Sequence, residues 1–166
     1  MNDGQCDLAK WFEANSRPLA LYARQWLDDH SAADVVQDAF LKLMCQKRRP
    51  DDARAWLFRT VRNAALNELR RRKTQARHAE AVAAGRSEWF QQQQDDDLDA
   101  KAVQEALAEL PREQSELIVM RIWGRMTYEQ MAEVVCEPMS TVRGRYVAAI
   151  ESLRRKMVKP WQPGTR

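Results

Sequence analysis

Histidine is almost absent, with His30 and His78 the only two, and cysteine is hardly commoner: Cys6, Cys45 and Cys136 are far apart and odd in number. Neither a zinc-like ligand spacing nor a paired disulfide framework arises from them. Only 5 glycines and 6 prolines occur in 166 residues, too few for a chain of short strands and tight turns. No apolar run approaches the roughly 18–20 residues that a membrane-spanning helix needs, and mean hydropathy is −0.66. Met1-Asn2-Asp3-Gly4-Gln5 carries no basic stretch leading into an apolar core, so no secretory signal is expected. A Ser-His-Asp grouping and a glycine-rich phosphate loop are both missing. These absences point to a reduced, cytoplasmic protein without metal, cofactor or enzymatic activity and without membrane insertion.

What is present is helix-forming: Ala, Leu, Gln, Arg and Glu dominate, and the chain reads as all-α. The net charge of +3 hides a strong partition. Residues 54–73 hold seven basic side chains and one acid, and residues 140–159 hold six and one. Those segments sum to +11, so the rest of the chain carries 3 − 11 = −8. Two basic segments on an acidic background suit a polyanion touched at two places.

The periodicity divides the chain into two small helical domains, residues 8–73 and 98–159, joined by a flexible linker at 74–97. In the first, Leu8, Trp11 and Phe12 share a helical face, as do Leu19, Tyr22, Trp26 and Leu27 after Pro18. Ser31 with Asp34 resembles a capping box, opening a helix whose apolar side is Val35, Val36, Ala39, Phe40, Leu43 and Met44. After Pro50 and Asp51-Asp52 a further helix runs from about Ala53 to Lys73. Phe58, Val61, Ala65 and Leu69 centre on one of its sides; Trp56, Arg59, Thr60, Asn63, Asn67 and Arg70 lie opposite, with no acid among them. The linker, rich in Ala, Gln and Arg, ends in Gln91–Gln94 and Asp95-Asp96-Asp97 and reads as a solvated hinge. Each domain has only about 60–70 residues, so each core is marginal alone.

In the second domain Thr127 and Gln130 form a capping box for a short helix, and Cys136-Glu137-Pro138-Met139 is a turn. Ser140 is expected to cap a last helix with Val142, Tyr146, Ala149, Ile150, Leu153 and Met157 facing inward. Residues 127–153 thus read as a helix-turn-helix, with Ala132 and Val142 suited to a close, steep crossing. Its outer face presents Ser140, Thr141, Arg143, Gly144 and Val147, with Arg145 nearby, able to reach base edges and phosphates in a major groove. The Trp56 face combines an aromatic for stacking, amides for base edges and arginines for the backbone, a pattern suited to single-stranded nucleic acid. The alternative is that Trp56 packs into the core and leaves an ordinary basic face. Asp34–Phe40 mixes acids with apolar side chains, as a protein-binding face does, although a solvated face has the same pattern.

Taken together, these segments resemble the extracytoplasmic-function group of bacterial RNA polymerase sigma factors. Asp34-Val-Val-Gln-Asp-Ala-Phe40, Trp56-Leu-Phe-Arg-Thr-Val-Arg-Asn63 with Arg70-Arg-Arg72, and Leu110-Pro111 with Thr127-Tyr-Glu-Gln-Met-Ala132 and Pro138-x-Ser-Thr-Val-Arg143 follow the family's order and spacing. The resemblance implies an alternative sigma factor that binds core RNA polymerase, through its clamp helices and flap, and directs promoter-specific initiation. Asp34, Val36, Gln37, Asp38 and Phe40 would meet the polymerase. Asn63, with Trp56, Arg59 and Arg62, would hold the opened minus-ten element. Ser140, Thr141, Arg143, Gly144, Arg145 and Val147 would read the minus-thirty-five duplex, Arg143 as base reader and Arg145 on a phosphate. A monomer is expected, with an anti-sigma factor as a further partner. Cys136 stands where the family often has glycine, so a strained or differently shaped turn is expected there. The residues of the helix-turn-helix alone would equally suit an autonomous transcriptional regulator.

Overall fold

The computed structural model describes residues 3–78 and 106–157, and among these every regular element is helical. The helices are α1 (Asp3–Ala23), α2 (Asp29–Met44), α3 (Ala53–His78), α4 (Arg112–Ile122), α5 (Tyr128–Val135) and α6 (Met139–Met157). Residues 106–108 are also helical. α1 passes through Pro18 rather than restarting after it, and α3 runs five residues beyond the end expected at Lys73. Residues 79–97 of the expected linker lie outside the described residues.

The start of α2 differs from the sequence reading by one motif. Asp28, not Ser31, is the N-cap: its Oδ1 accepts the Ser31 backbone N–H at 2.9 Å, so Ser31 sits inside the first turn. A carboxylate at this position also meets the partial positive charge of the helix N-terminus. The same carboxylate ties α3 to α2. Arg72 donates from Nη1 to Asp28 Oδ2 at 2.8 Å, from Nη2 to Ser31 Oγ at 2.6 Å, and from Nε to Glu68 Oε1 at 3.0 Å. The Ser31 backbone N–H and then Arg72 hold the Asp28 carboxyl far below the ordinary carboxylate range. Arg71 and Arg72 bring Glu68 down to about 2.

In the second domain the Thr127 capping box forms as expected, with Thr127 Oγ1 accepting the Gln130 N–H and Gln130 Oε1 accepting the Thr127 N–H. Cys136 then ends α5 in the left-handed region, at φ 57° and ψ 43°. The turn therefore keeps the shape glycine would give it, and a non-glycine residue bears the steric cost. Ser140 does not cap α6. The carbonyl of Pro138 accepts the first helical N–H groups, from Thr141 and Val142, so Ser140 lies within the first turn. Arg121 stacks its guanidinium 4.9 Å from the Tyr128 ring centroid and so ties α4 to α5.

The two domains are not packed separately. Leu19, Tyr22, Leu57, Phe58 and Val61 of the first form one continuous core with Leu117, Met120, Met126, Met131 and Val134 of the second. α3 packs on α5 and α1 on α4. A smaller cluster, Leu107, Leu110, Ile118, Ala149 and Leu153, belongs to the second domain alone. Two cores that are each marginal at this size gain from merging, because the buried fraction of a chain's surface rises with size.

Candidate nucleic-acid interface

Three exposed surfaces contain the residues singled out from the sequence. On α2, Asp34, Gln37 and Asp38 are exposed. His30 lies 3.6 Å from Asp34, an exposed pair on one helical turn. Val36 and Phe40 are core residues, 3% and 4% exposed, and Phe40 packs edge-on against Phe12 with ring centroids 4.8 Å apart. This corrects their expected place in a contact surface: they sit on the inward side of α2, so they hold the helix and do not present themselves to a partner. Leu41 and Met44 take their place. They are 57% and 55% exposed and continue the line of Asp34, Gln37 and Asp38 at helical spacing. The sequence reading missed Leu41 and turned Met44 inward, because apolar identity was taken as a sign of burial.

On α3 the division of faces is largely as the periodicity required. Leu57, Phe58, Val61 and Ala65 are buried, and Arg59, Asn63, Asn67 and Arg70 are exposed. Trp56 is intermediate and packs one side against the core. Trp56 is thus a partly buried ring anchored on the core. Arg62 departs from its neighbours. Its Nε donates to Glu116 Oε2 at 3.1 Å and its Nη2 to Oε1 at 3.5 Å. Burial alone would lower the Arg62 pKa, but the hydrogen bond and charge of Glu116 outweigh it and raise the value. Tyr22 Oη donates to the same Glu116 oxygen at 3.1 Å. Burial, followed by the Glu116 charge, pushes the Tyr22 phenol well above its ordinary value.

On α6, Ser140, Thr141, Arg143, Gly144 and Val147 are exposed and Val142 points inward at 1% exposure. Arg145 is half-buried, and its Nη1 donates to Glu137 Oε1 at 2.8 Å. A Cβ built on Gly144 would meet nothing within 4 Å. The outer face of the last helix is therefore open along its first two turns. Arg143 lies on this exposed side.

The sigma-70 region 2 family matches residues 11–75 and the sigma-70 region 4 family matches residues 100–153. RNA polymerase sigma factor SigV of Bacillus subtilis is 25% identical over 132 residues, covering 77% of this chain and 76% of its own length. The RNA polymerase sigma-H factor of Pseudomonas aeruginosa is 28% identical over 155 residues, covering 84% and 79%. The fold resembles that of the sigma factor RpoE, co-crystallised with the anti-sigma factor NepR from Bartonella quintana. Its TM-score is 0.77 at 22% identity, over 98% of this chain and 100% of that one. CnrH, solved in complex with the cytosolic domain of CnrY, is similar at a TM-score of 0.57 and 26% identity, over 91% and 87%. With the two regions matched in order over most of its length, the chain belongs to the sigma-70 family and is a sigma factor of the extracytoplasmic-function group, acting in promoter-directed transcription initiation.

Proposed function

We propose that the acidic and apolar stripe of α2 binds core RNA polymerase while α3 and α6 take the two promoter elements. Asp34, Gln37 and Asp38, with Leu41 and Met44, form the polymerase-facing surface. Val36 and Phe40 support it from behind. Residues 8–73 act at the clamp and the minus-ten element, and residues 98–159 at the flap and the minus-thirty-five element. The protein works as a cytoplasmic monomer with no catalytic activity of its own, and an anti-sigma factor opposes it, the kind of partner with which RpoE was co-crystallised.

The observation that best supports this reading is the exposed face of α3, where Arg59, Asn63, Asn67 and Arg70 line up beside Trp56. Unstacking a base costs a few kcal/mol. An aromatic platform returns ~1–3 kcal/mol per base, while amides read the base edge and guanidiniums hold the backbone. Asn63 and Trp56 are positioned for the first tasks, Arg59 for the second, and Arg62 joins them once free of Glu116. On α6, Arg143 reads a base edge and Arg145 holds a phosphate, with Ser140, Thr141, Gly144 and Val147 completing the contact.

Capture of core RNA polymerase tests the assignment. Wild type and Arg143→Ala should retain the enzyme at low salt, while Asp38→Arg weakens capture by reversing a charge on the exposed stripe. Failure of folded wild type to capture any core enzyme would defeat the proposal.

A further inference from the structure

Along α6, Met139, Arg143 and Val147 stand four residues apart, so each is one turn on and about 40° round from the one before. Met139 and Val147 are large apolar side chains left 46% and 48% exposed, whereas Val142, Ala149 and Leu153 of the same helix turn into the core. A single apolar residue on a surface needs no explanation. These two flank a cation. Among the described residues Arg143 has no ion-pair or hydrogen-bond partner, while Arg145 is held by Glu137 at 2.8 Å. Beside the stripe, Gly144 and Ala148 are exposed, and a Cβ at Gly144 would meet no protein atom within 4 Å. Small residues there let Arg143 and Val147 approach a surface closely.

From this spacing we infer that the stripe fixes the base sequence this protein selects: Arg143 takes a guanine, and Val147 and Met139 each take the C5-methyl group of a thymine on either side of it. The inference rests on the proposed placing of α6 in the minus-thirty-five duplex. In a major groove the thymine methyl is the one apolar group among the base edges, and guanine offers the paired N7 and O6 acceptors that a guanidinium fork fits. An apolar–cation–apolar row therefore has its complement in a guanine between two thymines. Four residues rise about 6 Å along a helix, against about 3.4 Å per base step. Each thymine thus lies within about two base pairs of the guanine, on either strand. The two apolar readers differ in stringency. Val147 is β-branched and stiff at χ1, so it demands a methyl at one position. Met139 has a flexible thioether chain and accepts a displaced one.

The test uses holoenzyme, assembled from the full-length chain and core RNA polymerase, to select promoter duplexes from a pool randomised across the minus-thirty-five segment. Selected sequences should hold a guanine with a thymine within about two base pairs on each side, and Arg143→Ala should lose the guanine. Uracil in place of a thymine deletes only the methyl group and so reads each apolar contact directly. At the thymine of Val147 it should weaken binding about fourfold, the worth of one buried methyl-sized group, and at that of Met139 about twofold. Val147→Ala should cost a similar factor on the thymine duplex and remove the penalty for uracil, since the two changes delete opposite halves of one contact. A selected pool without flanking thymines, an absent uracil penalty, or a penalty that survives Val147→Ala overturns the inference. Weaker capture of core enzyme by Val147→Ala or Met139→Ala in the absence of DNA also overturns it, because these side chains would then face the polymerase. Initiation on the selected duplexes separates the two levels. If holoenzyme initiates on them while uracil has no effect, the methyl readout is wrong and the sigma reading stands. If it selects no sequence and initiates on none, the sigma reading falls and the inference falls with it.

Discussion

Replacing Gly144 by alanine should make the protein more stable and less able to use its promoter. Gly144 lies in the second turn of α6, inside the helix, where glycine costs roughly 0.5–1 kcal/mol relative to alanine. The added methyl meets no atom of the protein within 4 Å, so the full helix-propensity gain is available without a packing penalty. For a chain of this length ~1 kcal/mol corresponds to about 2–4 °C in melting temperature. The proposed contact with the minus-thirty-five duplex responds in the opposite direction. A methyl group on the face flanked by Thr141, Arg143 and Val147 holds the helix away from the groove, and loss of one well-formed base contact costs about 1–3 kcal/mol. Denaturant unfolding of the free protein and promoter-duplex affinity of the holoenzyme measure the two effects. A rise in stability with unchanged affinity would refute the claim that Gly144 is there for close approach of DNA. A fall in stability would refute the reading of that surface as open.

Other substitutions separate contributions within the fold. Asp28→Ala removes the N-cap of α2 and should cost ~1 kcal/mol or somewhat more; Asp28→Asn keeps an acceptor and loses the exposed ion pair with Arg72 and the negative charge at the helix N-terminus, so urea midpoints should place it nearer wild type. Because the Asp28 carboxyl is held below its ordinary range, its contribution is complete above about pH 4 and declines as the pH falls further. Asp28→Asn should flatten that part of the acid profile. Tyr22 has the opposite sign: its phenol is raised, so its contribution is present in full below about pH 10 and is lost in stronger alkali, a loss that Tyr22→Phe should abolish. Cys136→Gly relieves a left-handed residue whose side chain is exposed, and should raise the urea midpoint by ~0.5–1 kcal/mol equivalent.

Much of this protein was legible in its sequence because local rules decide it. The inward face of α3 follows from spacing alone, and the Thr127 box announces itself through two residues three apart. The errors occurred where two local rules compete for the same residues. Asp28, Ser31 and Asp34 offer overlapping caps, and only the backbone path selects Asp28. Pro138 and Ser140 compete in the same way at α6, where proline's lack of an N–H suits the entry to the helix. Val36 and Phe40 match a family signature yet point into the core, because a motif records which residues recur without stating which way they point. Glu116 left no sequence signal at all. It reads as one acid in a helix, and its partners stand 54 and 94 residues away in the chain.

The shared apolar core and the polar cluster set within it contribute differently to the same interface. Domains of 60–70 residues gain stability by burying Phe58 and Val61 against Met120 and Met131, and an interface made wholly of such contacts would favour permanent closure. A polar cluster at its centre changes that balance. Tyr22, Arg62 and Glu116 satisfy one another only when the domains meet in a single register, so the cluster specifies the closed arrangement more than it strengthens it.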